Sequence, residues 1–145
     1  MDTGLLHLHN ILRWIILILL LVTIYQAFSK KEAIRKTSLF LLISAHIMLL
    51  IGLYQVIAGR YGITKGLPEG IKLMDDNGKF YRFFWIEHPL AMIVAIILIT
   101  ISRRKAKNLN YKATSWLLVI ALLFILAAVP WPFRDVVGRH LFPGS

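Results

Sequence analysis

His9, Arg13, His46 and His88 are the residues of this sequence whose types and spacing point to chemistry, and all four fall inside strongly apolar runs. A titratable side chain in hydrocarbon costs a few kcal/mol on insertion scales, so such residues mark a cofactor, an ion path or a contact between helices. Neutral imidazoles from facing helices, roughly level across a bundle, are the ligands of a non-covalently held b-type haem. An arginine near the membrane surface suits the anionic propionates of that ring. The sequence has no cysteine. Its absence excludes disulfides, thiolate metal sites, iron–sulfur clusters and covalently attached c-type haem.

Two ligand pairs are open. In a square up-and-down bundle the first and third helices stand diagonally, so His9 and His88 would approach a ring from opposite sides. His46 and His88, on adjacent helices, form the other pair. Met92, one turn beyond His88, offers a thioether, although methionine at helical spacing more commonly fills gaps. The fourth helix brings no histidine, which argues against two bis-histidine haems. A structural reading uses the same residues differently. Each histidine would hydrogen-bond across the bundle, contributing about 0.6–2 kcal/mol, and Arg13 would pair with Glu87. A third reading places His7, His9, His88 and His140 on one side of the membrane with Glu87 and Asp135, where imidazole and carboxylate suit zinc, copper or iron. Against it, His7 and His9 point to nearly opposite faces of a helix.

Four apolar segments must position these residues, at about 5–28, 38–58, 83–102 and 114–129, each near the roughly 20 residues that span hydrocarbon. With 58% apolar residues and a mean hydropathy of +0.70, the 145-residue chain reads as mostly membrane-embedded. The expected fold is all-α: a single polytopic, up-down-up-down bundle of four transmembrane helices. The first segment opens on MDTG, lacks a basic start and has no small-residue cleavage site after it, so it is expected to stay attached. At about 1.5 Å per residue, His88 lies roughly 8 Å and His46 roughly 18 Å from the outer edge. His9 sits near that edge, with Arg13 one turn deeper on the same face.

The net charge of +10 is distributed as a membrane protein distributes it. Lys30, Lys31, Arg35 and Lys36 follow the first segment against one acid, Glu32; Arg103, Arg104, Lys105, Lys107 and Lys112 follow the third with none. On the opposite side Arg60, Lys65, Lys72, Lys79, Arg82, Arg134 and Arg139 are nearly balanced by Asp2, Glu69, Asp75, Asp76 and Asp135. By the positive-inside rule both termini lie outside and both basic loops in the cytoplasm, in a bacterial inner membrane. No recognition fold presents these charges to nucleic acid; anionic lipid is their expected partner. Trp14, Tyr54, Tyr61, Tyr81, Trp85 and Trp131 form the outer aromatic belt, and VPWPFRD reads as a helix exit in the headgroup layer. Pro89 leaves two options: a helix that starts near His88 or one that kinks there.

The segments GLLHLHNILRW, AHIMLLIGLY, WIEHPLAMIVAIILITI and VPWPFRD resemble a family of small four-helix membrane proteins of Bacteroidota, loosely labelled cytochrome b-like. The resemblance covers nearly the whole chain and rests on His9 with Arg13, on His46 after Ala45, and on Glu87 with His88. It implies haem b and electron transfer within the inner membrane, with two of His9, His46 and His88 as iron ligands and Arg13 in support. The rival expectation is a non-catalytic accessory subunit, docked on a larger inner-membrane complex or on a second copy of itself. So short a chain has few ways to be an enzyme alone.

Overall fold

The computed structural model describes residues 2–139. Its helices are α1 (Asp2–Phe28), α2 (Ile34–Ala58), the single turn α3 (Lys79–Arg82), α4 (His88–Lys107) and α5 (Tyr111–Ala128), with a π-helical turn, Phe83–Glu87, fusing α3 to α4. Among the described residues four helical units, namely α1, α2, α3 with α4, and α5, are long and apolar enough to cross a membrane. Their outward faces carry large exposed apolar side chains such as Ile18, Leu50, Leu90 and Leu123. In water such faces would be a liability; against lipid tails they cost nothing. The chain is an all-α, multi-pass membrane protein.

Two helix ends run well past the apolar segments. α2 begins at Ile34 rather than near Ser38, and α4 continues to Lys107 rather than stopping near Ser102. Hydropathy marks where hydrocarbon ends, whereas backbone hydrogen bonding carries the helix on into charged residues whose long stems reach the headgroups. Five residues therefore join α1 to α2, and three join α4 to α5. At this end the Arg35 Nε–H donates to the carbonyl of Lys107 at 3.1 Å. Asn110 caps α5, its side-chain oxygen accepting from the Ala113 N–H at 3.2 Å; an amide oxygen here satisfies a donor that no preceding turn can.

Each helix packs on two neighbours: α1 on α2 and α5, and α4 on α2 and α5. α1 and α4 therefore face one another across the diagonal. Ile16, Leu17, Leu20, Leu41, Ile99, Leu118 and Ile125 form the main buried cluster, with Ala45, Ala95 and Ala121 letting the backbones approach. Buried hydroxyls are spent on their own helices: Thr23 donates to Leu19, Ser102 to Ile99 and Thr114 to Asn110, at 2.6, 2.7 and 2.8 Å. Such residues are small enough to sit between helices without an unmet polar group.

Pro89 neither starts the third span nor breaks it. In a regular α-helix its ring would clash with the carbonyl four residues back. Here the π-turn widens the preceding turn, and the His88 N–H reaches five residues back to the Phe83 carbonyl. The extra residue gives the ring room and lets the helix run from Lys79 to Lys107. Single π-turns of this kind recur beside functional sites, and this one delivers His88.

Candidate functional site

His9 reaches the bundle interior from the first turns of α1, and His88 does so from the start of α4. Their ring centres lie 6.3 Å apart, with planes inclined at 50°. Gly52 of α2 completes the level: among the described residues, a Cβ placed there would have one neighbour outside its own helix, the His9 Nε2, at 3.8 Å. Glycine inside a helix costs up to about 1 kcal/mol relative to alanine. No other described residue crowds this position, so its smallness keeps space open beside His9.

The orientation of His88 is set from α5. Its Nδ1 lies 2.7 Å from the Ala128 carbonyl. A carbonyl only accepts, so Nδ1 carries the proton and donates, which leaves the neutral ring's Nε2 with a lone pair. Ala128 has a carbonyl to give because of two prolines. A continued helix would have paired Leu126 with the N–H of residue 130 and Ala128 with that of residue 132, but both positions are proline. Other donors take over: the Trp131 indole N–H bonds Leu126 at 2.9 Å, and Arg134 bonds Ala127 at 2.9 Å and Val129 at 3.2 Å. The VPWPFRD segment is thus a helix exit that converts lost backbone bonds into side-chain ties, one of which holds an imidazole.

A cavity of about 450 Å³ adjoins the two rings, walled by α1, α2, the α3–α4 unit and the segment after α5. That volume falls in the roughly 300–1,000 Å³ range of cofactor and small-molecule sites. Ile16, Ala45, Ala95 and Ile99 give it an apolar floor, while Arg13, Arg60 and Arg139 are among its lining residues. Arg13 is buried, with its guanidinium carbon 5.4 Å from the Trp14 ring centre. Arg139 lies over Phe80 and Phe84, at 4.9 and 5.1 Å. The rings of these two phenylalanines lie 4.8 Å apart, tilted by 53°, and lead toward His88, whose ring is 6.4 Å from Phe84. The cavity thus joins two imidazoles, an apolar floor and guanidinium groups. That is what a flat, largely apolar, metal-centred ring with carboxylate arms requires.

Other expected members fall elsewhere. Glu87 does not pair with Arg13; it stands exposed, 3.8 Å from the Arg82 Nε. The rotation that turns His88 inward carries its immediate neighbour outward. His46 is also apart from the His9–His88 pair. It is exposed on the outer surface of α2, its Nδ1 2.8 Å from the carbonyl of Leu42, and it lines a separate groove against α4. Met92 lines the cavity together with His7. Among the described residues no three histidine, aspartate or glutamate side chains converge as a metal site, and His140 lies outside the described residues. Arg60, Arg139 and Gly52 were not foreseen. Arg60 and Arg139 resemble ordinary interfacial charges in sequence. A glycine amid LLIGLY is a signal that a wall had to be thin there.

Comparison with protein-family models, with curated proteins and with solved structures finds no match for this chain.

Proposed function

We propose that the chain is a small b-type haem protein that passes electrons within a bacterial inner membrane, with His9 and His88 as the residues that would hold the haem. The observation that carries this reading is their separation. Ring centres 6.3 Å apart, beside a largely apolar cavity, would let both imidazoles hold the iron of one haem. Haem bound between them would supply a one-electron iron couple. The chain's own contributions are orientation, charge and exclusion of water. The Ala128 carbonyl holds His88 in the tautomer whose Nε2 is free to ligate, an outer hydrogen bond that also raises ligand basicity. Arg13, Arg60 and Arg139 offer partners to carboxylates, and the floor of Ala45, Ala95 and Ile99 keeps the site dry.

The test is the visible spectrum of the purified protein after haem-replete expression. Sharp b-type bands on dithionite reduction, with a pyridine haemochrome identifying haem b, are expected. Folded protein that stays colourless under those conditions would remove this reading.

The same proposal sets the protein in the membrane as an up-down-up-down bundle with both termini outside, on the strength of the basic connections at Lys30–Lys31 and Arg103–Lys107. Cysteines introduced at Lys31, Asp76 and Lys105 report it. An impermeant thiol reagent applied to intact cells is expected to label the Asp76 variant alone. Labelling at Lys31 or Lys105 instead would invert the bundle and put the His9–His88 level on the cytoplasmic side.

A further inference from the structure

We infer that the groove at His46, between α2 and α4, binds a neutral, lipid-soluble hydroxyl donor of the quinol class, with its hydroxyl hydrogen-bonded to the His46 Nε2. The use of such a site rests on the haem reading above; the binding itself does not.

His46 stands midway along α2, twelve residues from Ile34 and twelve from Ala58, which is roughly 18 Å from either end. Its side chain is exposed among the outward-facing Ile43, Ile47 and Leu50, so it meets the middle of the bilayer. There the Nδ1 lies 2.8 Å from the Leu42 carbonyl. The carbonyl accepts, so Nδ1 holds the proton and Nε2 is left as an acceptor. Hydrocarbon provides no donor for it, and an unmet polar group at that depth is costly.

The groove beside it has a volume of about 280 Å³, lined by Leu49, Ile93, Ile97, Thr100 and Arg104. Thr100 gives its proton to the Ile96 carbonyl at 2.8 Å. Arg104 lies about 16 Å farther along α4 than Ile93. A phospholipid held there by its phosphate would leave His46 facing an acyl chain. A molecule that meets Nε2 at the bilayer centre must be uncharged, dissolve in hydrocarbon and donate a hydrogen bond. A phenolic hydroxyl on an apolar ring has all three properties.

The groove is also placed to matter. Leu49, Ile93 and Ile96 line both it and the cavity between His9 and His88, so a shared wall of apolar side chains divides the two. A redox-active ring in the groove would lie next to one in the cavity.

The probe is 2-heptyl-4-hydroxyquinoline N-oxide, a fluorescent quinol analogue, titrated into the purified protein in lipid nanodiscs. Saturable quenching at one molecule per chain is expected. His46→Leu places an apolar side chain on a lipid-facing surface and leaves the bundle intact; it is expected to weaken binding about tenfold or more. Ile97→Trp, which fills the groove while leaving the His46 imidazole in the chain, is expected to do the same. His88→Ala, which strikes the haem site alone, is expected to keep the parent's affinity, so failure of the haem reading would leave this result standing. Absence of saturable binding to the parent would overturn the inference. So would His46→Leu binding as tightly as the parent, since the groove would then be holding acyl chains or a partner's helix through shape alone.

Discussion

Replacing His88 with alanine is expected to give a folded, membrane-inserted protein that carries no haem even when haem is supplied in excess. The imidazole is a proposed ligand with its Nδ1–H already committed to Ala128, and alanine leaves both the coordination position and that carbonyl without a partner. His9→Ala is expected to lose the low-spin spectrum in the same way, because its ring stands across the diagonal from His88. His46→Ala should leave the spectrum unchanged: that side chain faces the outer groove, beyond Leu49 and Ile93. Arg13→Leu is expected to retain haem with weaker hold, as the ring survives while an anion loses a nearby cation. Reduced-minus-oxidised spectra of the four variants decide the matter. If His88→Ala and His9→Ala both kept the parent's bands, the ligands would lie elsewhere and the site would be misassigned.

Gly52→Leu should drive haem binding and fold stability in opposite directions. A leucine here projects into the space beside the His9 Nε2, which lies 3.8 Å from where even a Cβ would stand, and so occupies the level at which the proposed haem would sit. Haem content is expected to fall by at least tenfold. The apo-protein should melt no lower than the parent, since exchanging a helix-interior glycine for leucine favours the helix by up to about 1 kcal/mol. Gly52→Ala, whose Cβ would make an ordinary contact, is the graded control and is expected to retain much of the haem. Full haem content in Gly52→Leu would show that the ring does not lie against α2.

These variants also show what could be read from the sequence. The four spans, and the diagonal that brings His9 to His88, follow from segment order and length alone. Rotation about a helix axis does not. α2 is apolar on every side, so its pattern cannot distinguish the face toward lipid from the face toward its neighbours. His46 could therefore be given a depth but not a direction, and it faces out. Glu87 failed to meet Arg13 for the same reason, compounded by a π-turn that resets the phase just before His88. The tie from His88 to Ala128 had a visible cue in Pro130 and Pro132, which between them strip two carbonyls of their helical partners. Which side chain would collect each carbonyl depended on the packing of α4 against α5. Arg139 needed the three-dimensional arrangement as well, since its approach to Phe80 and Phe84 joins parts of the chain far apart in sequence.

The bundle is not uniform along its length. Leu20, Leu41 and Leu118 are fully buried, as are Ser38, Ser102 and Thr114, and Ala27, Ile34 and Ala106 seal the same end. None of these side chains lines the cavity, which occupies the opposite end. The molecule is shaped like a goblet, with a solid stem and an open bowl, and the residues that make the stem are not those that face the contents. In biogenesis the two tasks can then be separated in time. If haem fills the bowl as proposed, the chain could enter the bilayer and close its stem first, and filling would be a later step of maturation rather than a condition of folding.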